Sequence, residues 1–188
     1  MTDPNRPGPD SPTALVVEVP AAEPVVGALR DRLDANARLG VPAHVTVIYP
    51  FAPAGEIGPS MRERLGGVFG AIPAFGFRLD RVGWFGADVL WLGPRDPGPF
   101  QVLTERVLAE FPGYPAFGGQ FAEVVPHLTV GHGQPVAELR VAEAAIAPQL
   151  PVDGVVEAVS LLSRDAGGRW RRSARFTLSV PGSVTGRR

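Results

Sequence analysis

The spacing of apolar residues along this 188-residue chain changes period several times, and each change marks an element. TALVVEV, at 13–19, is apolar on both faces and predicts a buried strand. Over 23–39, Val26, Leu29, Leu33 and Ala37 recur at helical spacing, and Gly40 supplies the stop for a single predicted helix. HVTVIY, at 44–49, alternates as a strand and closes at Pro50; 57–70 reads as a second helix, and FGFRLDRVGWF, at 75–85, as a long strand. After a turn at Gly86 the succession recurs: VLWLG as a strand, 100–111 as a helix, HLTVG as a strand, 136–150 as a helix and VVEAVSLLSRD, at 155–165, as one strand. RWRRSARFTLSV then pairs back on it across the turn AGG as a hairpin. The stretch 115–126, containing glycines and prolines, reads as a surface loop leading into His127.

The same order of elements thus occurs twice, and in both series the third element opens on His-X-Thr-Val. An internal duplication into two similar α+β lobes follows. The ends lie outside the pattern: 1–12 and 181–188 lack apolar periodicity, are rich in Pro, Gly, Ser and Arg, and are expected to be disordered, leaving 13–180 as a single domain of two lobes.

Composition narrows the chemistry. The chain has no cysteine, which removes disulfides, thiolate nucleophiles and Cys-based zinc sites. A formal net charge of −1 argues against a grip on long nucleic acid, which requires many phosphates to be neutralised, and favours a small or end-bound substrate. The polar, proline-rich start is unlike a signal peptide, and no apolar run approaches the ~20 residues that span a bilayer, so a soluble, cytoplasmic protein with no membrane partner is expected, as a monomer. All eighteen basic residues are arginine. No mechanism is drawn from that.

On a strand, alternate side chains share a face, so His44 lies beside Thr46 and His127 beside Thr129, with Val45, Val47 and Tyr49 on the opposite face of the first strand. There are seven threonines and three histidines in the chain, and two of the histidines have Thr two residues on. The chance of that is on the order of one in two hundred. Facing each other across a lobe boundary, two imidazoles supply a base for the attacking oxygen and an acid for the leaving oxygen of an in-line displacement at phosphorus. The threonine hydroxyls supply donors to the non-bridging oxygens. Neither a metal nor another cofactor is called for.

HVTVIYPF and the F-x(4)-PHLTVG of Phe121 to Gly131 resemble the two signature strands of the 2H phosphoesterase superfamily, in its 2′-5′ RNA ligase and cyclic phosphodiesterase branch. The resemblance implies a duplicated bilobal α+β fold, with two antiparallel sheets lining a central cleft and helices on the outside. It implies a reaction at 2′,3′-cyclic phosphate ends or 2′-5′ linkages, on an RNA end or a small cyclic nucleotide. The family's catalytic histidines map onto His44 and His127, and its phosphate-contacting hydroxyls onto Thr46 and Thr129.

Other readings of the same residues differ in what they predict. A non-catalytic RNA- or nucleotide-binding module would keep the cleft and show no turnover, and a structural interaction protein would lose only stability on changing both histidines. A zinc site from His44, His127 and His132 has the right ligand count, but strand parity turns His132 away from His127. Arg169, Arg171 and Arg175 are expected on one face of the last strand, as guards of a solvated edge or as a steering patch. Trp84, Phe85, Trp91 and Trp170 are core candidates that would otherwise stack a base.

Overall fold

The computed structural model describes residues 7–115 and 124–180. Two four-stranded sheets, every neighbouring pair antiparallel, carry the fold. The strands are β1 (Thr13–Glu18), β2 (His44–Ile48), β3 (Phe75–Phe85), β4 (Val89–Pro94), β5 (Leu128–His132), β6 (Val152–Val156), β7 (Ala158–Arg164) and β8 (Trp170–Thr177). The first sheet runs β2-β1-β7-β8 and the second β5-β4-β3-β6. The helices are α1 (Glu23–Leu33), α2 (Ala35–Arg38), α3 (Pro59–Gly70), α4 (Gly98–Glu110) and α5 (Val136–Ile146).

Both series expected from the repeat are present, but each sheet is built from both. β3, the third strand of the first series, pairs with β4 in the second sheet, and β7 from the second series pairs with β1 in the first sheet. The helices cross as well: α1 packs on β5 and α4 on β2. From α4, the Thr104 hydroxyl donates to the Val47 carbonyl on β2; from α1, the Arg30 Nε donates to the Thr129 carbonyl on β5. One face of each sheet therefore enters a single continuous core, with Val17, Val45 and Leu161 from one sheet meeting Leu90, Leu92 and Leu128 from the other.

Three expectations need correction. The single helix over 23–39 is two, because Asp34 is extended (φ −122°, ψ 112°), caps α2 by accepting from the Asn36 N–H and holds an ion pair with Arg30. The single strand over 155–165 is two, interrupted at Glu157, and its halves lie in different sheets. The helix over 136–150 stops at Ile146 and continues as a 3-10 turn, Ala147–Gln149. At the N-terminus, residues 7–12 are tied to the body, with the Pro9 and Ser11 carbonyls accepting from Gly55 and Ala54. The rest of the expected N-terminal disorder, the tail 181–188 and most of the expected loop lie outside the described residues, as does Phe121. Among the described residues, no helix is long and apolar enough to cross a membrane.

Candidate active site

His44 opens β2, and His127 lies one residue before β5. These are edge strands of different sheets, and β2 and β5 are in contact. Val45, Val47, Leu128 and Val130 are all within about 1 % of full burial, which leaves His44, Thr46, His127 and Thr129 half-buried on the other faces. His44 and Thr46 line one cavity, and His127 and Thr129 lie at the adjacent edge strand that β2 contacts.

The two imidazoles are held in the same way. His44 Nδ1 donates to the Pro42 carbonyl at 2.8 Å and His127 Nδ1 to the Val125 carbonyl at 2.7 Å, each acceptor two residues upstream. A carbonyl only accepts, so Nδ1 carries the hydrogen in both rings and Nε2 is left with its lone pair. Neither Nε2 nor either threonine hydroxyl has a partner among the described residues. Burial pushes the His44 pKa down to about 4, with smaller effects from its carbonyl partner, which raises it, and from the Arg30 and His127 charges, which lower it. Burial also lowers His127. In both rings burial thus favours the neutral form.

Between the two motifs lies a group that the sequence pattern did not single out. Arg30, 2 % exposed, pairs with the equally buried Asp34 at 2.9 Å and donates to the carbonyls of Val41 and Thr129. Its guanidinium links the segment entering His44 to the strand carrying Thr129. A cation in a helical apolar stripe was the available signal, since an unpaired arginine there would be costly to bury.

A bulge corrects the parity argument on each strand. On β1–β2, Leu15 pairs with Ile48 and Val16 with Thr46, so Val47 is an extra residue. Val47 and Ile48 both turn to the core, and Tyr49 returns to the face of His44 and Thr46. On β4–β5, Leu90 pairs with Gly131 and Trp91 with Thr129, so Val130 is extra and His132 returns to the face of Thr129. His132 is therefore not turned away as expected; it is exposed at the rim, 3.3 Å from Asp88. No group of three or more metal-ligating side chains occurs among the described residues.

The aromatic and arginine candidates divide by face. Trp84 donates to Glu143 on α5 and lies under Arg140, away from the cleft. Phe85 meets the His127 ring edge-on at 4.8 Å, and Trp91 packs beside both. Trp170 makes an edge contact with Tyr49 near His44. A bulge at Ser173 separates the arginines: Arg171 pairs with Asp165, whereas Arg172 lies opposite Leu162 and reaches Glu18, the cross-strand neighbour of His44. Arg169, Arg171 and Arg175 do not share one face, because the extra residue shifts Arg175 to the side of Arg172.

The 2′-5′ RNA ligase superfamily model matches residues 17–168, a span that contains both His-X-Thr motifs. The chain belongs to that superfamily, the 2H phosphoesterases. Solved structures with the same fold include TT0787 of Thermus thermophilus, 21 % identical over 90 % of this chain and 99 % of that one, at a TM-score of 0.58. Escherichia coli LigT complexed with ATP is 21 % identical over 92 % and 99 %, with a TM-score of 0.55. The same protein complexed with 3′-AMP is 18 % identical over 90 % and 99 %, with a TM-score of 0.53. No protein of curated function matches the chain by sequence. As a 2H phosphoesterase, the chain presents its two motifs on equivalent edge strands of the two sheets, which is what their recurrence in the sequence implied.

Proposed function

We propose that this 2H phosphoesterase is a metal-independent enzyme acting on RNA-type phosphodiesters, as a 2′,3′-cyclic phosphodiesterase or in the 2′-5′ RNA ligase manner. His44 and His127 are its acid and base, and Thr46 and Thr129 bind the phosphate. The observation that supports the reading is the matched locking of the two imidazoles: both Nδ1–H groups are committed to backbone carbonyls, so each ring keeps an unpartnered Nε2 two residues from an unpartnered threonine hydroxyl. In hydrolysis of a cyclic phosphate, one Nε2 takes a proton from the attacking water. The P–O bond to one ribose oxygen breaks, and the other imidazole, as imidazolium, gives that oxygen its proton. The Thr46 and Thr129 hydroxyls donate to the non-bridging oxygens as charge gathers there.

Two neutral rings must become one neutral and one charged pair partner. The bound phosphodiester brings the negative charge that favours imidazolium, so the acid acquires its proton with the substrate. The LigT complexes with 3′-AMP and ATP support a nucleotide as the ligand of this cleft too.

The test is turnover of a 2′,3′-cyclic nucleotide in EDTA by the native chain and by His44→Ala and His127→Ala, with the product isomer identified. Each substitution should lower kcat by several orders of magnitude, and chelation should change nothing. Full activity in either variant would overturn the assignment; tight nucleotide binding without turnover would leave a binding module.

A further inference from the structure

His44 and Thr129 belong to edge strands of different sheets, and among the described residues no ladder joins β2 to β5. A ladder fixes the spacing and register of strands within one sheet, so between these two strands that task falls to side chains. Arg30 is placed to perform it. The buried positions of α1 are Val26, Arg30 and Leu33, so an arginine occupies a place in the apolar stripe of the helix. Its Nη2 donates to Asp34 at 2.9 Å and to the Val41 carbonyl at 3.2 Å, and its Nε donates to the Thr129 carbonyl at 3.2 Å. Val41 immediately precedes Pro42, whose carbonyl holds His44 Nδ1. Thr129 carries the hydroxyl of the second motif.

The first motif has further holds of its own. The Glu23 carboxylate accepts from the Ala43 N–H at 2.7 Å, and the Thr104 hydroxyl donates to the Val47 carbonyl at 2.9 Å. Those two contacts steady the His44 strand alone, whereas Arg30 reaches the backbone of both motifs. Stability is a weak reason for burying Arg30 with Asp34, because well-packed apolar residues of similar volume are often as stable as a buried ion pair. Apolar residues cannot bond to two carbonyls at fixed angles. A planar guanidinium can, because its donors form a rigid fork.

We infer that Arg30 is a positioning residue of the site: one guanidinium holds the segment that seats His44 and the strand that carries Thr129 at a fixed separation, so that both motifs meet one phosphorus. The inference rests on the phosphoesterase reading above. Arg30 is buried and acts through the Val41 and Thr129 carbonyls, not on the reacting atoms. A misplacement of about 1 Å between reacting groups costs on the order of 10²-fold in rate. Substrate binding tolerates such a shift better than the transition state does, so the loss falls on kcat more than on KM. Asp34 neutralises the cation and orients the fork, which makes the two carbonyl bonds, and not charge at position 30, the feature that matters.

The experiment measures kcat and KM on cytidine 2′,3′-cyclic phosphate for the native chain, for Arg30→Lys and for Arg30→Met combined with Asp34→Leu, at a temperature where circular dichroism shows each folded. Lysine keeps the cation beside Asp34 but gathers its donors at one nitrogen, and it serves as the test if the double variant folds poorly. The double variant removes the pair without leaving a buried charge. Each should lose roughly 10- to 100-fold in kcat, with KM within about threefold of the native value. Native kcat in either folded variant overturns the inference, as does a loss carried by KM, and both results leave the phosphoesterase intact. If the native chain turns over no cyclic phosphate, the phosphoesterase reading fails on its own, and nuclear magnetic resonance of the imidazole nitrogens decides the positioning claim. His44 should then show one tautomer in the native chain and a mixture of two in the variants; a single, unchanged tautomer throughout overturns it.

Discussion

A histidine whose Nδ1–H is committed to a carbonyl can exchange a proton with a ligand only through Nε2, and both site histidines are in that position. The two carbonyls lie two residues upstream, at Pro42 and Val125, so the tautomer is set by chain segments adjacent to each motif. The depressed His44 pKa has a consequence for stability. The unfolded chain takes up this proton near pH 6.5 and the folded chain at about 4, so the contribution is complete above pH 6.5 and is lost as pH falls to about 4. Its size is about 3 kcal/mol. Urea midpoints at pH 7.5 and pH 4 should diverge more in the native chain than in His44→Gln; equal divergence would remove the burial argument. Thr46→Val and Thr129→Val keep shape and lose a donor. Each should lower kcat on a cyclic phosphate roughly 10²- to 10³-fold with a smaller change in KM, as removal of one oxyanion donor does. At this scale the sequence was legible, because spacing and residue type alone placed His44 with Thr46 and His127 with Thr129. Tyr49 and His132 were not, because a bulged residue changes strand parity without a mark in the apolar pattern.

Among elements, the Arg30–Asp34 pair joins α1 to α2 and, through the Val41 and Thr129 carbonyls, to the approaches of both motifs. Removing one member of a buried pair leaves the other charge uncompensated. Arg30→Met should therefore destabilise by about 3–5 kcal/mol in urea unfolding, and Arg30→Met with Asp34→Leu by less than the single change. A double variant no better than the single would show that the carbonyl contacts carry the cost. Gly131 gives a second test of the bulge on β5: a Cβ there would stand 2.6 Å from Leu139 Cδ2 and 3.0 Å from Leu33 Cβ, so Gly131→Ala should lower Tm measurably. The elements themselves were mostly legible from period and turn residues. The breaks at Asp34 and Glu157 were not, since one is made by an ion pair with another turn and the other by a change of sheet. Neither alters the run of apolar positions.

For the whole molecule, the repeat predicted two lobes but not how they are joined. Apolar alternation in FGFRLDRVGWF or AVSLLSR marks a strand and says nothing of which sheet receives it. Because β3 and β7 exchange places and the core runs through both sheets, the lobes cannot open separately. Tryptophan fluorescence, which samples Trp84 and Trp91 in one sheet and Trp170 in the other, should therefore follow the same urea transition as far-ultraviolet dichroism. Two resolved transitions would contradict the shared core. The exchange also bears on what half of this chain would be. A polypeptide carrying one series alone would hold one His-X-Thr strand and a third strand with no sheet of its own to join. It would complete its sheet against a second copy, each lending its third strand to the other, and the two copies would face one another across a cleft with a histidine from each. The covalent chain then does what a twofold dimer of halves would do, with one freedom such a dimer lacks: the two sides of its cleft can differ, as Val16 and Trp91 do.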